Sequence, residues 1–75
     1  MSGSELSHLV KMANQIATNI AHGATDEKTI ANVVNHISMF WARPMREKIC
    51  ANLNELTNEL HPFATQALIL IKEKL

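Results

Sequence analysis

The chain has 75 residues, 47% of them hydrophobic, and its seven basic residues balance seven acidic ones for a formal net charge of zero. That length holds one domain at most. The neutral balance argues against nucleic acid or an anionic membrane as the main partner, because both select a basic patch.

Met1–Ser7 has no basic region leading into an apolar run, so no secretory signal is expected. Residues 1–4 read as a flexible N-terminus and residues 5–75 as a single helical domain. Apolar periodicity predicts an all-α fold, a small bundle of about four short amphipathic helices with no strand. The first helix is expected from about Glu5 to about His22, with Ser4 as N-cap and Gly23 closing it at the left-handed position. Leu6, Leu9, Val10, Ala13, Ile16, Ala17 and Ile20 form its buried stripe. Thr25 should cap a second helix, and Asp26 and Glu27 in its first turn suit the positive end of the dipole. Its stripe is Ile30, Val33, Val34, Ile37, Phe40 and Trp41. Pro44 should stop that helix by biasing Arg43 away from helical angles, then start the next as its first residue.

The third helix carries Met45, Ile49, Leu53 and Leu56 on one face, and Pro62 marks the start of the fourth. That last helix has a wide apolar arc through Phe63, Ala64, Ala67, Leu68, Leu70, Ile71 and Leu75, with Ile69 outside it. No run approaches the roughly 20 apolar residues that span a bilayer. A single cysteine, Cys50, fits a reducing compartment, so the protein is expected to be cytoplasmic. A domain this small buries only about 60–70% of its unfolded surface, so a partner can supply missing burial.

Charge is distributed unevenly. No charged residue occurs between Lys11 and Asp26, between Lys28 and Arg43, or between Glu59 and Lys72. The outward face of the first helix, His8, Lys11, Gln15, Thr18, Asn19 and His22, is polar but nearly uncharged. Protein interfaces are depleted in Lys and Glu, so this face is either a docking surface or merely a neutral solvated one. Met39 points away from the stripe of its own helix.

Little in the chain suggests chemistry. The four histidines lack the paired spacing of zinc ligands, and Cys50 has no Cys or His beside it. His36 reads as a boundary residue, His61 as a turn or cap, and Cys50 as a structural thiol. There is no phosphate loop and no nucleophile with a base, so catalysis by this chain alone is not expected. The unusual segment is His36–Arg46, with Phe40, Trp41, Pro44 and two arginines. Phe40 is expected to anchor the core, Trp41 less completely. Arg43 can pair with Glu47. Alternatively Trp41, Arg43 and Arg46 form an interface hot spot, since Trp and Arg dominate such surfaces.

Several segments together look familiar: Lys11-Met-Ala-Asn-Gln-Ile-Ala17, Asn35-His-Ile-Ser-Met-Phe-Trp41, Met45-Arg46, and Leu60-His-Pro62 followed by Ala67-Leu68. They resemble the delta subunit of NAD-dependent formate dehydrogenase, from Lys11 nearly to the chain's end. The resemblance implies a non-catalytic accessory subunit that binds no cofactor of its own. It implies a large catalytic subunit as partner, in a complex carrying a molybdenum or tungsten pterin, iron–sulfur clusters, FMN and NAD. Assembly, maturation or stability of that subunit is the implied role. Asn14, Gln15, His36, Phe40, Trp41, Met45 and Arg46 are the carried-over positions. In the family pattern Pro stands before Arg-Met, whereas here the order is Arg43-Pro44-Met45-Arg46, which weakens any carry-over to Arg43. With Phe40 assigned to the core and Arg43 added from the hot-spot reading, the expected partner-binding set is Asn14, Gln15, His36, Trp41, Arg43, Met45 and Arg46. Alternatives are a pterin-cofactor insertion chaperone, with Arg43 and Arg46 on phosphates, and an unrelated homo-oligomeric helical adaptor. A homodimer of the isolated chain stays open; a DNA-binding helix-turn-helix is remote without a basic recognition helix.

Overall fold

The computed structural model describes residues 2–21, 23 and 25–75, with side chains from residue 5 onward. Five helices follow in order: α1 (Ser2–Ile20), α2 (Asp26–Phe40), α3 (Arg43–Ala51), the single turn α4 (Leu53–Leu56) and α5 (Pro62–Glu73). The fold is all-α, with no strand among the described residues.

The ends follow local chemistry. Thr25 caps α2, its Oγ1 accepting from the Lys28 N–H at 3.3 Å. His61 caps α5, its Nδ1 accepting from the Phe63 N–H at 3.1 Å, and Pro62 opens the helix. Gly23 takes φ +69, the left-handed angle that costs a glycine no Cβ clash. α1 begins at Ser2 rather than near Glu5, which puts the Ser4 backbone inside its first turn; the Ser4 side chain and His22 lie outside the described residues.

The expected third helix divides in two. Asn52 sits at φ −108, ψ 12, outside helical angles. Its side-chain Nδ2 donates to the Lys48 carbonyl at 2.8 Å while its N–H reaches Ile49 O at 3.2 Å. An asparagine that competes for nearby carbonyls tightens the ladder and interrupts it. Leu53 and Leu56 still face inward, so the stripe survives the break.

α5 occupies the centre of the bundle. It packs most extensively along α2 and also meets α1, α3 and α4. Ala13, Ala17, Ala64 and Ala67 are wholly buried beside Val33, Ile37, Ile49, Leu68 and Ile71. Small side chains let the helices approach closely, and little large apolar surface is left to spare. On α5 the outward Ile69 and Leu70 are exposed, at 45% and 43%; the sequence placed Leu70 inside the apolar arc.

Asn14 supplies the longest-range polar tie. Its Nδ2 donates to Glu59 O at 2.9 Å, and its Oδ1 accepts the His61 N–H at 2.6 Å. The amide thereby fastens the turn before α5 onto the side of α1. Asn14→Ala would remove both bonds, at a cost of about 0.5–1.5 kcal/mol for each because water can reach the groups left behind. Urea denaturation should show that loss, while Gln15→Ala on the exposed face should shift the midpoint hardly at all.

Candidate docking groove

The corner between α2 and α3 is made by two residues in extended conformation, Trp41 (φ −90, ψ 136) and Ala42 (φ −66, ψ 151). The Trp41 N–H still donates to Ile37 O at 2.9 Å, so the helical ladder closes before the chain turns. α3 then starts at Arg43 with Pro44 inside its first turn, where a missing N–H costs nothing because those donors have no helical acceptor. The break therefore falls one residue earlier than Pro44 alone predicts.

This turn decides which aromatic goes inside. The Trp41 indole is buried, at 5% exposure, whereas Phe40 stands 70% exposed and Met39 75%. The expectation for Phe40 as a core anchor is thus reversed. The helix ends at Phe40, and the extended step after it carries the next side chain inward.

Beside the buried indole lies a groove of about 380 Å³, open on one side. Met12, Gln15, Ile16, Asn19 and Ile20 of α1 form one wall; His36 and Phe40 of α2, with Trp41 and Met45, form the other. The His36 ring lies against Phe40, centroids 4.7 Å apart. The lining is mostly apolar and holds no charged residue.

Four of the predicted partner-binding residues meet here: Gln15, His36, Trp41 and Met45. The other three do not line it. Asn14 spends its amide on the Glu59–His61 turn. Arg43 forms an exposed ion pair with Glu47, Nε to Oε2 3.1 Å. Arg46 is half-buried, and its enclosed Nε has no acceptor. Asn19 belongs to the outward α1 face offered as a docking surface, while Ile16, Ile20 and Phe40 were expected in the core and Met12 was not singled out. The signal on α1 was the run Met12, Ile16, Ile20 at four-residue spacing, on the flank of the stripe rather than its centre.

Among the described residues no group of three or more His, Cys, Asp or Glu side chains is placed to hold a metal ion. The Cys50 thiol is buried, with Sγ 3.7 Å from Leu68 O. Burial pushes its pKa up, against smaller downward pulls from Lys72 and Arg46, so the thiolate is disfavoured. The folded chain then holds this proton more tightly than the unfolded chain does. Stability should fall as pH rises above the ordinary thiol value of about 8.5, and Cys50→Ala should flatten that alkaline limb in pH-resolved urea titrations.

Truncating the two aromatics should separate their roles. Trp41→Ala should cost about 3–5 kcal/mol or abolish cooperative unfolding. Phe40→Ala should change stability by less than about 0.5 kcal/mol. Thermal denaturation of both variants checks the contrast.

A family model described as NADH-dependant formate dehydrogenase delta subunit FdsD matches residues 8–68. No curated protein and no solved structure is a match. The matched span contains every residue lining the groove. With four fifths of its length inside that match, the chain belongs to the family of formate dehydrogenase delta subunits.

Proposed function

We propose that this chain is a non-catalytic accessory subunit that docks on the large catalytic subunit of a cytoplasmic NAD-dependent formate dehydrogenase, supporting its assembly, maturation or stability. The observation that carries this reading is the groove between α1, α2 and the α2–α3 corner. It is apolar and uncharged, and Met39 and Phe40 stand exposed on the helix that forms one wall. Exposed apolar surface of this kind marks an interaction site in a soluble domain. The sequence segments that resemble the family converge on it: Met12, Gln15 and Ile16 from the first, His36, Phe40 and Trp41 from the second, Met45 from the third.

In this reading the pterin, iron–sulfur, flavin and NAD sites belong to partner subunits. Direct cofactor insertion by paired arginines draws less support, because Arg43 is already held by Glu47. No helix among the described residues is long and apolar enough to cross a membrane, which fits docking on a protein.

Co-expression of the tagged chain with the other subunits tests the proposal. The parent chain should retain the large subunit. Phe40→Asp should reduce retention at least tenfold, a loss of about 1.4 kcal/mol or more, while Ile69→Asp on α5 should not. If the parent chain retains no large subunit, or Phe40→Asp retains it fully, the proposal fails.

A further inference from the structure

His61, at the entry to α5, is tied by three hydrogen bonds. Its N–H donates to Asn14 Oδ1 at 2.6 Å, its carbonyl accepts the Thr65 N–H at 2.9 Å, and its Nδ1 accepts the Phe63 N–H at 3.1 Å. The ring also lies against the Phe63 ring, centroids 5.2 Å apart at an interplanar angle of 42°. These contacts fix the orientation of the imidazole, and with it the place of its proton. A backbone N–H only donates, so Nδ1 must present a lone pair and the neutral ring carries its proton on Nε2.

Helices are usually capped by Ser, Thr, Asn or Asp, whose side-chain oxygens accept throughout the range around neutrality. Histidine in that place behaves differently, because an imidazolium has two N–H donors and no acceptor. Protonation therefore removes the cap of α5. It also sets a positive charge at the end of the helix where the dipole is already positive. Both effects act in the same direction, and no neighbouring charge opposes them. The first turn of α5 has no acidic residue, and α1 meets His61 with the uncharged amide of Asn14. His8 and Lys11 of α1, Glu55 of α4 and Glu59 of the turn itself are all exposed. Among the described residues neither these carboxylates nor those of α2 and α3 lie within ion-pair range of His61. Glu59 joins the tie through its carbonyl instead, which accepts from Asn14 Nδ2 at 2.9 Å. The His61 side chain is half-buried, so protons from solvent reach the ring.

We propose that His61 is a proton-operated clasp: the neutral ring caps α5 while Asn14 holds the turn on α1, and the protonated ring releases the cap, so that acid loosens the start of the central helix. The unfolded chain takes up the proton without losing a bond. Stability therefore falls as pH drops through the range where imidazole titrates, from about pH 8 to about pH 5. None of the clasp residues, Asn14, Glu59, His61 and Phe63, lines the groove, so the inference stands independently of the docking reading.

Nuclear magnetic resonance of the full chain tests it. At about pH 7.5, where the ring is mostly neutral, nitrogen–proton correlation spectra of the imidazoles should show His61 with its proton on Nε2 and a bare Nδ1. On acidification to about pH 5.5, exchange protection of the Phe63 amide, corrected for its intrinsic rate, should fall about three- to tenfold, the range expected for loss of a helix cap. His61→Asn replaces the ring with an oxygen acceptor that does not titrate, and should keep that protection at both pH values. His36→Asn leaves the cap in place, so its acid loss should match that of the parent chain. A neutral His61 ring with its proton on Nδ1 would overturn the inference without recourse to any variant. Equal Phe63 protection at the two pH values, or an acid loss undiminished in His61→Asn, would overturn it as well.

Discussion

The backbone of Trp41 leaves the helix one residue after Phe40, and the bundle is arranged around that step. With φ −90 and ψ 136 the residue is extended, yet its N–H still closes the α2 ladder on Ile37. An indole buries more surface than any other side chain, and here it is the one aromatic ring among the buried residues of the core. The same step points α3 back toward α1 and α5, which bring Ile49 and Cys50 into the core. It also leaves the indole as one wall of the groove and the preceding phenyl ring outside. Core, corner and groove share a single turn of chain.

Much of this architecture can be read locally. Thr25, Gly23, His61 and Pro62 act where their side chains and backbone preferences place them, and the stripes of Val33, Ile37, Ala64, Ala67, Leu68 and Ile71 are buried as their spacing requires. Reading failed where the outcome depends on a competition or on a distant partner. Phe40 and Trp41 both sit within reach of the α2 stripe on a helical projection, so periodicity cannot choose between them; only the point at which the helix stops does. Asn52 breaks the third helix because its amide prefers the Lys48 carbonyl, a contest between side chain and ladder. Asn14 was singled out for docking, but its acceptors and donors lie on a turn more than 40 residues away that no local pattern reveals. The groove was legible in part, through Gln15, His36, Trp41 and Met45. Met12 and Ile20 escaped because a residue on the flank of a stripe looks the same whether it closes a core or opens a pocket.

The composition of the core explains why such a flank remains open. Four of the wholly buried positions are alanines, which bring helices close but remove little apolar area from water per residue. Surface ion pairs add little: Arg43–Glu47 is exposed on both sides, and Lys48–Glu5 is half solvated. Filling the groove from within would need longer side chains on α1 or α2, and the chain instead places its large free residues, Met39 and Phe40, outside. Apolar area that could have stabilised the isolated domain is left at the surface, where only another molecule can cover it.

Under the proposed docking, that arrangement couples folding to association. Any molecule that binds the folded chain and not the unfolded one stabilises it in proportion to the logarithm of its concentration over its dissociation constant. For a domain with a thin margin, covering Phe40 and filling the groove contributes to the same free energy that holds Trp41 in place, since both act on the same corner. The charge-free stretches of α1 and α2 are consistent with this coupling. A surface dense in Lys and Glu would raise the desolvation cost of docking, whereas Gln15, Asn19 and His36 can exchange water for backbone partners at little penalty. Under the docking proposal, a thin stability margin and a neutral groove share one origin, because a partner that fills the groove also covers the corner at Trp41.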